Sequence, residues 1–173
     1  MSTELPFKQL IWFFLTKGVP AGKVATYKTL SVAATGSSAS SRAVGMAMKT
    51  NPYAPIVPCH RIIGADLTLH GYSGPADAVS GSRLEFKASL LRSEGVAIAL
   101  RTGKIAPKYV IETISLPRPT AQELDAFMKG VETDYKAYIT TQAQDDVAKA
   151  FADKAADTTA PAAKTAAVGA MAD

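Results

Sequence analysis

Between Asn51 and Gly64 the chain reads NPYAPIVPCHRIIG, with prolines at 52, 55 and 58. Proline has no amide hydrogen to donate, and the residue before it resists helical geometry. The stretch therefore cannot continue a helix or sit inside a central strand. It reads as an irregular apolar segment that delivers the only cysteine, Cys59, beside His60, one of two histidines, and Arg61. A buried structural cysteine needs neither neighbour, whereas a reactive one can use both.

Helical patterns flank this segment. Residues 6–17, PFKQLIWFFLTK, carry Leu10, Ile11, Phe14 and Leu15 at helical spacing, and GVPAG (18–22) closes that helix with a turn. A second short helix is expected from Thr26 or Tyr27 to about Thr35. After the small-residue turn GSSAS, SSRAVGMAMKT gives a third, with Val44 and Met48 inward and Arg42 and Lys49 outward. Two short helices joined by such a turn form a helix-turn-helix pattern with the second as reader. GADLTLHGYSGP holds turn residues and reads as a hairpin or tight loop. LEFKASLLRSEG (84–95) reads as an amphipathic helix ended by Gly95, with Leu84, Phe86 or Lys87, Leu90 and Leu91 as its ridge.

The composition shifts beyond residue 102. Thr120 and Glu123 form a capping box after Pro117 and Pro119. The helix they open carries Leu124, Phe127, Met128, Val131, Tyr135 and Tyr138 in one stripe, which is expected to pack onto the domain. From about Asp153 the chain is mostly Ala, Thr, Asp and Lys, the composition of a disordered tail or a fraying helix. The expected divisions are therefore 1–101, 102–152 and 153–173. Charge divides similarly: residues 1–101 hold 11 Lys/Arg against 5 Asp/Glu, and residues 102–173 hold 8 against 10. A basic first part is compatible with a polyanionic partner.

Several classes are set aside at this stage. No run of eighteen apolar residues exists, so no membrane span is expected. The start, MSTELPFKQLIWFF, lacks a basic n-region and a small-residue cleavage site, so no signal peptide is expected. One cysteine forbids an intrachain disulfide and fits a reducing compartment. Cys59, His60 and His70 fall short of a four-ligand Cys/His zinc site, so no metal and no cofactor are expected.

A free thiol is only a few per cent ionised at neutral pH. An imidazole can take its proton, directly or through a water, and a carboxylate on the far side can orient that ring. Neighbours in a strand point to opposite faces, so Cys59 and His60 need a bent backbone to cooperate, which Pro58 favours.

PCHRIIG, preceded by RAVGMAMKTNP and followed by GYSG and LLRSEG, resembles the signature of the O6-alkylguanine-DNA alkyltransferases. IWFFLTKGVPAGKVATYKTL resembles that family's opening Trp-containing helix, Pro-x-Gly turn and Thr-Tyr segment, so the likeness runs over roughly residues 7 to 96. It implies a mainly α fold: a winged-helix-like helix-turn-helix alkyltransferase domain with a small β/loop active-site element. A helical and partly disordered C-terminal extension would follow. It further implies that Cys59 takes an alkyl group from O6 of a damaged guanine in double-stranded DNA, once and irreversibly. His60 would act as base through a water, with Glu94 holding its ring. Tyr27 would assist the departing base at a ring nitrogen, and Asn51 would organise the turn and bond near the thiol. Tyr72, the backbone of Ser73, Pro58, Ile62 and Met48 would line the base pocket. In-line attack on the O6 substituent requires the base to leave the stack. Arg42 would enter in its place, while Ser41, Ala43, Gly45 and Lys49 let the reader helix approach a minor groove.

The chain departs from the family pattern in places. Met46 stands where the family usually shows a second glycine, Pro75 replaces another glycine, and the loop PADAVSGS before Arg83 is longer than in compact members. The extra N-terminal domain of many members, with its structural zinc in some, is not expected. The implied protein is an intracellular monomer, nuclear in a eukaryote and cytoplasmic in a prokaryote. Its extension is free to hold a further protein partner. The alternatives are a non-catalytic alkyltransferase-like damage binder, against which Cys59 argues, and a cysteine hydrolase, which nothing specifically marks.

Overall fold

The computed structural model describes residues 4–69 and 83–158. Its elements are α1 (Phe7–Gly18), β1 (Val24–Thr26), α2 (Tyr27–Thr35), α3 (Ser41–Lys49), β2 (Ile62–Ile63), α4 (Arg83–Ser93), β3 (Val110–Ile111) and α5 (Ala121–Thr158). The chain divides into two units, Met1–Tyr135 and Lys136–Asp173. In the described part of the second, α5 continues as helix to Thr158, past the position where the composition turns Ala-rich.

The first three helices form where the periodicity places them. α1 buries Leu10, Ile11, Trp12, Phe14 and Leu15. Of the two expected starts, α2 begins at Tyr27, capped by Thr26, whose Oγ1 accepts from the Thr29 amide at 3.1 Å. α3 buries Val44, Ala47 and Met48 while Arg42, Ala43, Met46 and Lys49 face outward. Trp12 Nε1 donates to the Ala47 carbonyl at 3.1 Å, so the α1 indole fixes the position of α3 as well as filling the core.

The small β element that the family likeness implies is a three-stranded parallel sheet in the order β2-β1-β3, whose strands were not placed from the sequence. β1 lies between its partners, pairing Ala25 with Ile62 and Thr26 with Ile63 on one side, and Val24 with Val110 and Ala25 with Ile111 on the other. Strands of two or three residues are too short to show an alternating pattern. Two apolar clusters cover this sheet. The larger joins α1, α2, α3 and the start of α5, and the smaller gathers Val24, Ile63, Leu91, Val96 and Ile105.

The turn after β2 places Leu67 at φ 62, left-handed geometry that a leucine rarely adopts. The Leu67 amide donates to Gly64 O, Ile105 donates to Leu67 O, and the side chain packs on the smaller cluster, which holds this backbone in place. In α4 the ridge is formed by Lys87, Ala88 and Leu91 with half-buried Phe86 and Leu90. Leu84 was expected there but is exposed: it shares the face of Lys87 and Leu91 and stands in the first turn of the helix, beyond the buried part of that ridge.

Residues 102–135 are part of the first unit. Ile105 is buried, β3 joins the sheet, and Ile114 lies so close over Gly18 that a Cβ there would sit 2.5 Å from its Cγ2. Arg118 Nη1 donates to Ala34 O at the end of α2, 3.1 Å away. The capping box forms as expected: the Thr120 amide donates to Glu123 Oε2 at 2.7 Å and the Glu123 amide to Thr120 Oγ1 at 3.2 Å. Leu124, Met128 and Val131 are then buried, and Phe127 meets Phe13 edge-on at 5.3 Å. The stripe of α5 packs as expected up to Tyr135.

Candidate active site

The proline-rich segment ends in a tight turn of 3-10 type, Cys59–Arg61, rather than in a strand. Pro58 precedes it and accepts from the Arg61 amide at 2.9 Å. With about three residues per turn, successive side chains fan out instead of alternating across two faces. Cys59 and His60 therefore both point into the protein, at 5% and 2% exposure.

The Asn51 amide is fixed at each end. Its Oδ1 accepts from the Tyr53 N–H at 2.9 Å, while Nδ2 donates to Val57 O at 2.9 Å and to Cys59 Sγ at 3.4 Å. The expected bond near the thiol is present, and its donor end faces the sulfur.

His60 Nε2 lies 2.8 Å from Glu94 Oε1, so the pairing implied for these two residues is present. Glu94 is placed by the end of α4. Gly95, at φ 86, reverses the chain there, with Val96 N–H bonded to Leu91 O and Gly95 N–H to Arg92 O, the double bond of a Schellman cap. Arg61 grips the same carboxylate, Nε at 3.1 and 3.0 Å and Nη2 at 2.7 Å, while Nη1 donates to Val19 O at 2.8 Å. Arg61 is thus a brace between Glu94 and the end of α1. With Nε2–H donated to Glu94, the buried Nδ1 is the basic end of the ring, and it has no protein partner among the described residues.

The charges explain the protonation states. Burial pushes the Cys59 thiol up, while the Asn51 bond, the Lys87 charge and backbone amides pull it back. Burial lowers His60, against the pull of Glu94, and the charges of Arg61 and Lys87 lower it further, so the ring is held neutral and able to accept a proton. Burial would raise Glu94, but the bonds from Arg61 and His60 overcome it and hold the carboxyl below its ordinary range. Tyr27, first residue of α2, is raised by burial and then by the Cys59 charge.

Lys87 is the residue that sequence reasoning missed. It is fully buried in α4, its ammonium donates to the Ile62 carbonyl, and burial lowers it to about 8 while Cys59 pulls it up. Its position on the inward ridge was the available signal, but a lysine there reads as a stem with its head in water.

Of the other candidates, Met48 and Ile62 lie in the larger core cluster with Cys59, and Pro58 opens the turn. Gly45 of α3 approaches Tyr27, whose Cε1 would lie 3.9 Å from a Cβ there. Arg42, Ala43 and Lys49 are exposed on α3, and Ser41 at its start is half-buried, donating to Ser38 O at 2.6 Å. Tyr72 and Ser73 lie outside the described residues.

The family described as 6-O-methylguanine DNA methyltransferase, DNA binding domain, matches residues 6–96, just over half of the chain. The chain belongs to this family. Among similar proteins, the constitutive methylated-DNA--protein-cysteine methyltransferase of Bacillus subtilis is 40% identical over 92 residues, 53% of this chain and 50% of that protein. The methylated-DNA--protein-cysteine methyltransferase of Thermococcus kodakarensis is 42% identical over 91 residues, covering 53% and 45%. The chain thus spans about half the length of the curated relatives it matches. Among solved structures, the O6-methylguanine methyltransferase of Mycobacterium tuberculosis matches at 36% identity and a TM-score of 0.43, covering 53% of this chain and 49% of that one. S. pombe Atl1, solved with damaged DNA containing O6-carboxymethylguanine, matches at 27% identity and a TM-score of 0.49, covering 61% and 94%. In this alkyltransferase-family chain, every residue of the Cys59, His60, Asn51 and Glu94 constellation falls within the matched segment.

Proposed function

We propose that the chain repairs DNA by moving an alkyl group from O6 of guanine onto Cys59, in a single irreversible reaction. The observation that carries this reading is the thiol held by Asn51 next to an imidazole whose far nitrogen is fixed on Glu94. The thiol proton passes to His60 Nδ1 through a water, and the sulfur attacks the alkyl carbon as the carbon–O6 bond breaks. The electron pair stays with guanine, which takes a proton at its ring nitrogen from Tyr27. The products are an S-alkylcysteine and an unmodified guanine. Displacement at an sp³ carbon forms no tetrahedral oxyanion, so a leaving-group donor such as Tyr27 matters more than an oxyanion hole.

The partner in this reading is double-stranded DNA, met by the exposed face of α3 with Arg42 filling the space of the flipped nucleotide. Tyr72 and Ser73 complete the pocket, as the family likeness implies.

The test is incubation with duplex DNA containing O6-methylguanine, followed by intact mass. A gain of one CH2 unit on Cys59 is the expected result. Tight binding with unchanged mass would overturn the reading in favour of a non-catalytic damage binder.

A further inference from the structure

We infer that Tyr135, on the helix beyond the family segment, is a positioning residue for Cys59 that acts through Tyr53 and Asn51. The family segment ends at residue 96, and nothing in it accounts for residues 97–135. The inference deepens the function proposed above and rests on it only in taking Cys59 as the reacting group.

The link is a continuous set of contacts. The Tyr135 ring meets the Tyr53 ring edge-on, with centroids 5.7 Å apart and planes at 84°. On its other side, Tyr53 meets Trp12 in the same manner, at 5.7 Å and 86°. Tyr53 is therefore clamped between a residue of α1 and a residue of α5. Its hydroxyl adds only a long contact to Glu132 Oε1, at 3.4 Å. Tyr135 is itself held, because Met128 and Val131 are buried on the preceding turns of α5.

What Tyr53 does with this rigidity is set by its backbone. Its N–H occupies Asn51 Oδ1, which leaves Nδ2 as the end of the amide that faces Cys59 Sγ. An amide turned over would instead aim an oxygen at the sulfur and disfavour its anion. The Tyr53 N–H and the Val57 carbonyl together select the amide orientation that helps the thiol ionise, and the ring clamp holds the Tyr53 half of that pair. The other groups acting on Cys59 are Lys87 from α4, Tyr27 from α2 and His60 from the thiol's own turn. None of these lies in the Tyr53–Tyr135 contact.

The test follows alkylation of Cys59 by iodoacetamide across pH, a reaction in which the thiolate displaces iodide and no DNA takes part. Tyr135→Ala is expected to raise the midpoint of the rate profile by roughly half to one pH unit, a three- to tenfold loss below the midpoint, with the high-pH plateau retained. Tyr135→Phe keeps the ring and is expected to restore the midpoint. In an Asn51→Ala background, Tyr135→Ala is expected to move the midpoint no further. Tyr135→Leu, which keeps apolar bulk without an aromatic edge, takes the place of the alanine variant if that one fails to fold. A lowered melting temperature with an unmoved midpoint overturns the inference, as does a shift that persists unchanged without Asn51. Transfer from O6-methylguanine DNA is measured in parallel on the unaltered protein. A midpoint shift without any such transfer would refute the proposed function and leave this inference standing.

Discussion

Lys87→Met removes a buried charge that acts on the thiol and keeps a flexible side chain of similar volume. Lys87 is fully buried, and its pKa falls from 10.5 to about 8, chiefly through burial. At about 1.4 kcal/mol per pH unit, keeping the ammonium charged in the folded protein costs on the order of 3 kcal/mol at neutral pH. The sign follows from proton binding. Between about pH 8 and pH 10.5 the unfolded lysine is protonated and the folded one is not, so this group's contribution to stability rises with pH there. The variant lacks that rise. Cys59 and Tyr27 titrate in both proteins, and because the Lys87 charge acts on the thiol, the difference reports Lys87 together with its coupling to Cys59. The stability gap is expected to move towards the unaltered protein by about 3 kcal/mol from neutral to strongly alkaline pH, read by urea unfolding at several pH values. At neutral pH the variant should be as stable as the unaltered protein or more so. Its gain of about 3 kcal/mol offsets the roughly 1–3 kcal/mol of a less well satisfied Ile62 carbonyl. Reactivity should move the other way, because the Lys87 charge pulls the thiol pKa down and its loss slows alkylation near neutral pH. A gap that stays constant across pH would refute the reasoning, and so would a variant that reacts as fast as the unaltered protein.

Arg61→Ala removes the fork from Glu94 and should cost about 2–3 kcal/mol, because hydrogen bonds to a charged partner are lost while the carboxylate stays half-buried. Glu94 is depressed in the folded protein, so its contribution is present above the unfolded carboxyl pKa and lost as pH falls through the folded one. The variant should show a smaller loss in that acid window, seen in melting temperature against pH. Arg42→Ala should slow repair in duplex DNA far more than reaction with free O6-benzylguanine, and equal loss on both would remove Arg42 from base flipping.

The helices were legible because apolar residues recur at helical spacing through α1, α2 and α3, each nine or more residues long. Thr120 caps the helix that the sequence assigned to it, and Thr26 caps the one whose start was left between Thr26 and Tyr27. The sheet was not legible, since β1 has three residues and β2 and β3 two each, all within apolar runs that carry no period of their own. At the site, the Cys59, His60, Asn51 and Glu94 grouping followed from the family pattern. Its working geometry came from the tight turn after Pro58. What Arg61 does was not legible in the sequence, and only the fold shows its bonds to Glu94 and Val19. Lys87 stayed hidden because sequence alone does not show that a helix face closes over a charge. The clamp on Tyr53 was not legible, since the two rings that form it lie 41 residues before it and 82 after it in the chain.

These long-range partners bear on where the functional unit ends. β1 carries Val24 and Ala25 with no exposure, so its backbone groups must be paired within the protein. β2 pairs one edge and β3 the other, and β3 comes from residues beyond the family segment. Without β3 the outer edge of β1 would lose its bonds, and each buried group left unpaired would cost about 1–3 kcal/mol. The same strand receives Ile62, the residue that leaves the nucleophile turn. That turn is entered past Tyr53, clamped by α5, and left through Ile62, paired with a strand that leans on β3. Both ends of the segment that positions Cys59 therefore depend on residues 102–135. A protein cut back to the family segment would keep every proposed reacting group among the described residues and lose the frame that aims them.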